Sequence, residues 1–114
     1  MTIALTLKVN DGLVLAADSA SAIVAVDDTG APAVINVYNH ANKVFNLIKG
    51  EPVGAVTWGR GNIGSASIAT LIKDFRQELA NERTSAGWRL SIEEIAQSAR
   101  RFFFEERYQK QYSQ

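Results

Sequence analysis

The chain has 114 residues, 46% of them hydrophobic, enough for a single globular domain over 1–114 that buries roughly two-thirds of the surface its unfolded form exposes. Twelve basic and twelve acidic residues cancel, which leaves no long-range field to attract nucleic acid or anionic lipid. The absence of cysteine rules out disulfides and thiolate ligands, a single histidine argues against a conventional zinc centre, and no window reaches the roughly 18 apolar residues of a membrane span; with no basic leader at the start, a cytoplasmic protein is the plain reading.

Residues Ile3, Leu5, Leu7 and Val9 alternate with Ala4, Thr6, Lys8 and Asn10, the period-two pattern of a strand. Asn10-Asp11-Gly12 marks a tight turn, so Leu13 to Ala17 are predicted to return antiparallel. LVLAA is apolar at every position, which predicts an internal strand covered on both sides. A second hairpin signal follows: Ile23 to Val26 and Val34 to Val37 flank Asp-Asp-Thr-Gly-Ala-Pro, a protruding β-arm. Val44 to Ile48 and Val53 to Trp58 read as a further strand pair around Lys49-Gly50-Glu51-Pro52.

Beyond Gly59, Gly61 and Gly64, a stripe of Ile68, Leu71, Ile72, Phe75 and Leu79 predicts an amphipathic helix over about Asn62 to Glu82, with Thr84 to Leu90 as the connection. Ser91 with Glu94 three residues on is a capping box, and the second helix buries Ile92, Ile95, Ala99, Phe102 and Phe103. Consecutive residues stand about 100° apart on an α-helix, so Phe102, Phe103 and Phe104 cannot all face one core, and the ring left over implies a subunit contact. The tail YQKQYSQ reads as a fraying end.

Thr2 is the first candidate for chemistry. A threonine hydroxyl is a poor nucleophile until a base takes its proton, and once Met1 is removed the residue's own α-amine, with an unperturbed pKa near 8, can act as that base. By itself a Met-Thr start reads first as a plain strand beginning. The order of the pieces adds to it: a threonine opening a strand, a hairpin, Ala-Ala-Asp-Ser, a later Lys-Val, then Gly-x-Gly before a long helix. That order resembles the proteasome β-type subunits, a family of N-terminal-nucleophile hydrolases, and LVLAADS (Leu13 to Ser19) matches the family's second strand almost letter for letter.

The resemblance spans most of the chain and implies an α+β fold: an antiparallel sheet with two helices on one face, the first half of a four-layer αββα sandwich. It further implies Thr2 as nucleophile, Asp18 as the acidic partner, Lys43 as the cation that lowers the nucleophile's pKa and the Gly59 backbone N–H as oxyanion donor. No metal or organic cofactor is required. The implied activity is hydrolysis of a peptide or protein substrate within a homo-oligomer or ring; the alternatives are a non-catalytic subunit acting in assembly and an amidase for small molecules. Each residue also has an ordinary reading, Asp18 as a strand terminator, Lys43 as an edge lysine and Gly59 as a turn residue. The chain departs from the family in having Ala20 where an arginine is common, in a longer Asp18–Lys43 spacing that the β-arm accounts for, and in ending before the second half of the sandwich. Elsewhere, His40 reads as a loop residue, Gly59 to Gly64 as a weak phosphate-loop candidate, and Trp58 and Trp88 as packing residues.

Overall fold

The computed structural model describes residues 2–113. The fold is α+β: eight short strands in antiparallel pairs followed by helices. Its contacts gather in two compact units, residues 2–44 with Val56–Gly59, and Phe45–Ala55 with residues 60–113.

In the first unit β1 (Ala4–Val9) and β2 (Gly12–Ala17) form a hairpin from Ala4↔Ala17 to Val9↔Gly12 around Asn10-Asp11. Their alternation and turn residues specify this register. β3 (Ser21–Val26) and β4 (Pro32–Tyr38) form the second hairpin, from Val26↔Pro32 back to Ser21↔Tyr38, with an irregularity at Ile23/Val24. Asp27 organises its tip, since one carboxylate oxygen accepts from the N–H groups of Thr29 and Ala31 and from the Thr29 hydroxyl, the local bonding for which Asp is favoured in turns. The antiparallel pairing expected of one sheet is thus distributed over two-stranded ribbons. Accordingly, β2 is not covered on both sides as its apolar run predicts. Leu13 and Val14 are 47% and 56% exposed, since β2 pairs with β1 alone among the described residues and apolar faces of the pair stay open.

β5 (Val44–Asn46) pairs with β6 (Gly54–Val56), a shorter pairing than the apolar runs suggest. Leu47, Ile48 and Val53 leave the ladder and become core residues of the second unit.

The second unit begins with a ribbon of β7 (Asn62–Ile63) and β8 (Ala66–Ser67), so α1 occupies Ile68–Ala86 and not the predicted Asn62 to Glu82. Two local signals explain the shift. Gly64, at φ 58°, takes a turn position that needs positive φ, and the Ser67 hydroxyl accepts from the Thr70 N–H as N-cap. At the other end Thr84 stays helical by donating its hydroxyl to the Ala80 carbonyl, and Gly87 at φ 72° terminates the helix. α2 (Ile92–Ala99) starts with the expected capping box of Ser91 and Glu94.

The helix then widens into a π-helical stretch, Arg100–Gln109, and ends in a turn, α3 (Lys110–Tyr112). Of the expectations for this region, the shared burial of Phe102 and Phe103 with one ring left outside holds, and that of a fraying tail does not. With i→i+5 bonding each residue advances by less than the α-helical 100°, so Phe102 and Phe103 both reach Phe75, with ring centroids 5.4 Å away in each case. Only Phe104 is left outside, 44% exposed and stacked on Tyr108. The tail is not frayed at Tyr112, whose hydroxyl accepts from the Gly64 N–H while the Arg60 guanidinium lies over its ring.

The core of this unit comprises Leu47, Ile48, Val53, Leu71, Ile72, Phe75, Leu79, Ile95 and Phe102. A polar clasp lies beside it: Glu82 of α1 accepts from the buried Ser98 hydroxyl at 2.7 Å and from the Arg101 guanidinium. Among the described residues no helix is long and apolar enough to cross a membrane.

Candidate active site

Three of the four residues singled out by sequence meet in the first unit. The β1–β2 ladder continues one pair beyond its strands: the Asp18 N–H donates to the Ile3 carbonyl, and the Ile3 N–H donates to Asp18 Oδ1 at 2.9 Å. Thr2 and Asp18 are brought side by side in this way. Lys43 arrives from the far side of the β-arm, where the Ala41 N–H donates to the Ser19 carbonyl. The Lys43 carbonyl accepts from Thr57, which fixes the backbone from which its side chain extends.

The Lys43 ammonium lies 3.3 Å from Thr2 Oγ1, 3.1 and 3.2 Å from the two Asp18 carboxylate oxygens, and 2.5 Å from the Ala20 carbonyl oxygen. Its side chain is 11% exposed and that of Asp18 27%. An ammonium has three donors, and here they meet a hydroxyl, a carboxylate and a carbonyl. Water is thereby largely displaced from the cation, and the hydroxyl sits in the field of a positive charge whose position is fixed by two other acceptors.

Sequence reasoning missed the Ala20 carbonyl. Ala20 stands out in the sequence only for lacking a polar side chain, and a main-chain acceptor leaves no mark in residue type. The Ile3 N–H is hidden for the same reason.

Gly59 is placed differently from the other three. It belongs to the first unit and lies two residues after Thr57, the residue bonded to Lys43, yet among the described residues no hydrogen bond connects it to Thr2, Asp18 or Lys43. Its φ is 82° and a Cβ there would meet nothing within 4 Å. Glycine is therefore demanded by backbone conformation, not by close approach. Nor does the helix predicted from about Asn62 begin close behind it, because α1 begins only at Ile68. Met1, whose removal would free the Thr2 amine, lies outside the described residues.

Hydrogen bonding to the Ile3 N–H, then the Lys43 ammonium, holds the Asp18 carboxyl below its usual value of 3.8. A depressed folded-state pKa gives stability that is complete above the unfolded value and is lost as pH falls through the folded one. Wild-type protein is therefore expected to lose its stability advantage over Asp18→Asn only below about pH 3.8. Urea unfolding of both proteins at a series of pH values between neutral and strongly acid checks this; a difference that already disappears near pH 6 would show that the Asp18 contacts do not persist in solution.

Comparison with protein-family models, curated proteins and solved structures finds no match to this chain.

Proposed function

We propose that the chain is a subunit of a threonine-type peptide hydrolase, with Thr2 as its N-terminal nucleophile after removal of Met1. The observation carrying this reading is the Lys43 ammonium within 3.3 Å of Thr2 Oγ1 and held in place by Asp18 and Ala20. Packing does not require a threonine hydroxyl, a lysine and its counter-ion to converge at a strand end, and nucleophile activation does. The Thr2 hydroxyl adds to a peptide carbonyl, its proton passing to the α-amine. The Lys43 charge favours the developing alkoxide, and the amine returns the proton to the departing amino group. Water then hydrolyses the resulting ester. Gly59 is proposed as oxyanion donor, the site requires no cofactor, and the setting is a cytoplasmic homo-oligomer or ring related to the αββα sandwich of the proteasome β-type subunits.

A non-catalytic subunit acting in assembly is the second reading. It is favoured by the row of Leu5, Leu7 and Val9 on β1 with Ile3 just before it, 54 to 68% exposed, which is surface suited to a partner. The two readings separate on one measurement. Full-length chain trimmed of Met1 by an aminopeptidase is treated with a threonine-directed β-lactone and its intact mass recorded. A single adduct that is absent from Thr2→Ala is expected. If the trimmed protein remains unlabelled at high reagent concentration, the catalytic reading is wrong and the assembly reading replaces it.

A further inference from the structure

The second unit carries a groove of about 820 Å³, within the size range of small-ligand sites. One wall is the solvent-facing stripe of α1, where Lys73, Arg76, Gln77, Ala80, Arg83 and Thr84 recur at helical spacing; Leu47, Ile48, Lys49, Gly87, Trp88 and Arg89 complete it. Five cations line it and no carboxylate does, although the chain as a whole is neutral. Glu51, just outside, binds Arg83 at 2.7 Å and Arg89 at 2.9 Å. These two arginines are thereby held in place, while Lys49, Lys73 and Arg76 form no ion pair among the described residues.

Trp88 is 64% exposed, contrary to its sequence reading as a packing residue. An indole face open to solvent beside uncompensated cations suits a ligand that is anionic at one end and planar at the other. An extended peptide fits less well, since such segments bind largely through main-chain hydrogen bonds and α1 has already satisfied its own. A nucleic acid strand calls for successive stacking platforms, and this groove has one.

We propose that the groove binds a nucleoside polyphosphate, with its phosphates on Lys73, Arg76 and Lys49 and its base stacked on Trp88. This is independent of any chemistry at Thr2.

The test uses full-length Trp58→Phe protein, in which Trp88 is the only tryptophan, titrated at 0.15 M salt with ATP, tripolyphosphate, a poly-glutamate peptide and an oligothymidylate. Saturable quenching by ATP is expected, with affinity at least about tenfold above that of tripolyphosphate, the margin that stacking of one base supplies. Adding Lys73→Glu and Arg76→Glu, both at exposed positions, should weaken ATP at least tenfold with an unchanged circular dichroism spectrum. Equal affinity for ATP and tripolyphosphate, tighter binding of the peptide or the oligothymidylate, or no saturation by millimolar ATP would each overturn the proposal.

Discussion

Replacing Lys43 by methionine is expected to slow β-lactone labelling of the Met1-trimmed chain on the order of a hundredfold to a thousandfold, the range over which one preorganised electrostatic group acts on a developing oxyanion. The ammonium is the only cation bonded to Thr2 Oγ1 among the described residues, and at 11% exposure its charge is poorly screened. Methionine retains most of the volume and removes the charge. Asp18 keeps the Ile3 N–H and is 27% exposed to water, so the hairpin should survive the change, and circular dichroism will report whether it does. Lys43→Arg separates charge from shape: a planar guanidinium cannot place one nitrogen against hydroxyl, carboxylate and carbonyl together, and an intermediate rate is expected. Labelling of Lys43→Met at the wild-type rate would remove Lys43 from the mechanism.

The largest expected effect on stability belongs to Phe102→Ala, at about 3–5 kcal/mol. Phe102 has no exposed surface. Its ring is 5.4 Å from that of Phe75 and 4.9 Å from that of Phe103, and the Arg107 guanidinium lies over it at 4.3 Å. Truncation leaves a cavity among side chains that cannot all close in. The control is Phe104→Ala, which removes a ring that is 44% exposed and should cost under about 1.5 kcal/mol, the upper worth of an aromatic pair. Because domains are stable by only about 5–15 kcal/mol, the first substitution should be evident in a urea titration. Equal losses from the two would show that the π-helical stretch does not hold in solution.

The burial of Phe102 and Phe103 together was legible in the sequence, but the π-helical stretch that carries them was not, since an α-helical step was the natural assumption and no residue in RRFFFEERYQ announces a wider turn. Elements set by local chemistry were legible. Alternation and Asn-Asp-Gly gave the first hairpin, Asp-Asp-Thr-Gly the second, and Ser91 with Glu94 the start of α2. Features decided by competition between neighbours were not. Gly64 could loosen a helix start or turn a ribbon, and it turns a ribbon; Leu47 could extend β5 or enter a core, and it enters a core. At the candidate site the side chains of Thr2, Asp18 and Lys43 were legible because the chemistry restricts residue type. The Ala20 carbonyl was not, since every residue carries one.

The self-pairing of the β-arm bears on the long interval between Asp18 and Lys43. Ser21 and Tyr38 face each other at its base, so the chain leaves and re-enters at almost the same point. Residues between them add to the count along the sequence and nothing to the gap that must be spanned. The entropy of closing that loop falls on the ladder, which zips locally from the Asp27 turn. The arm is in effect a parenthesis. Its length is free to change two residues at a time, one on each strand, while the groups on either side keep their distance, so the spacing between an acid and a lysine in such a chain says little about whether they meet.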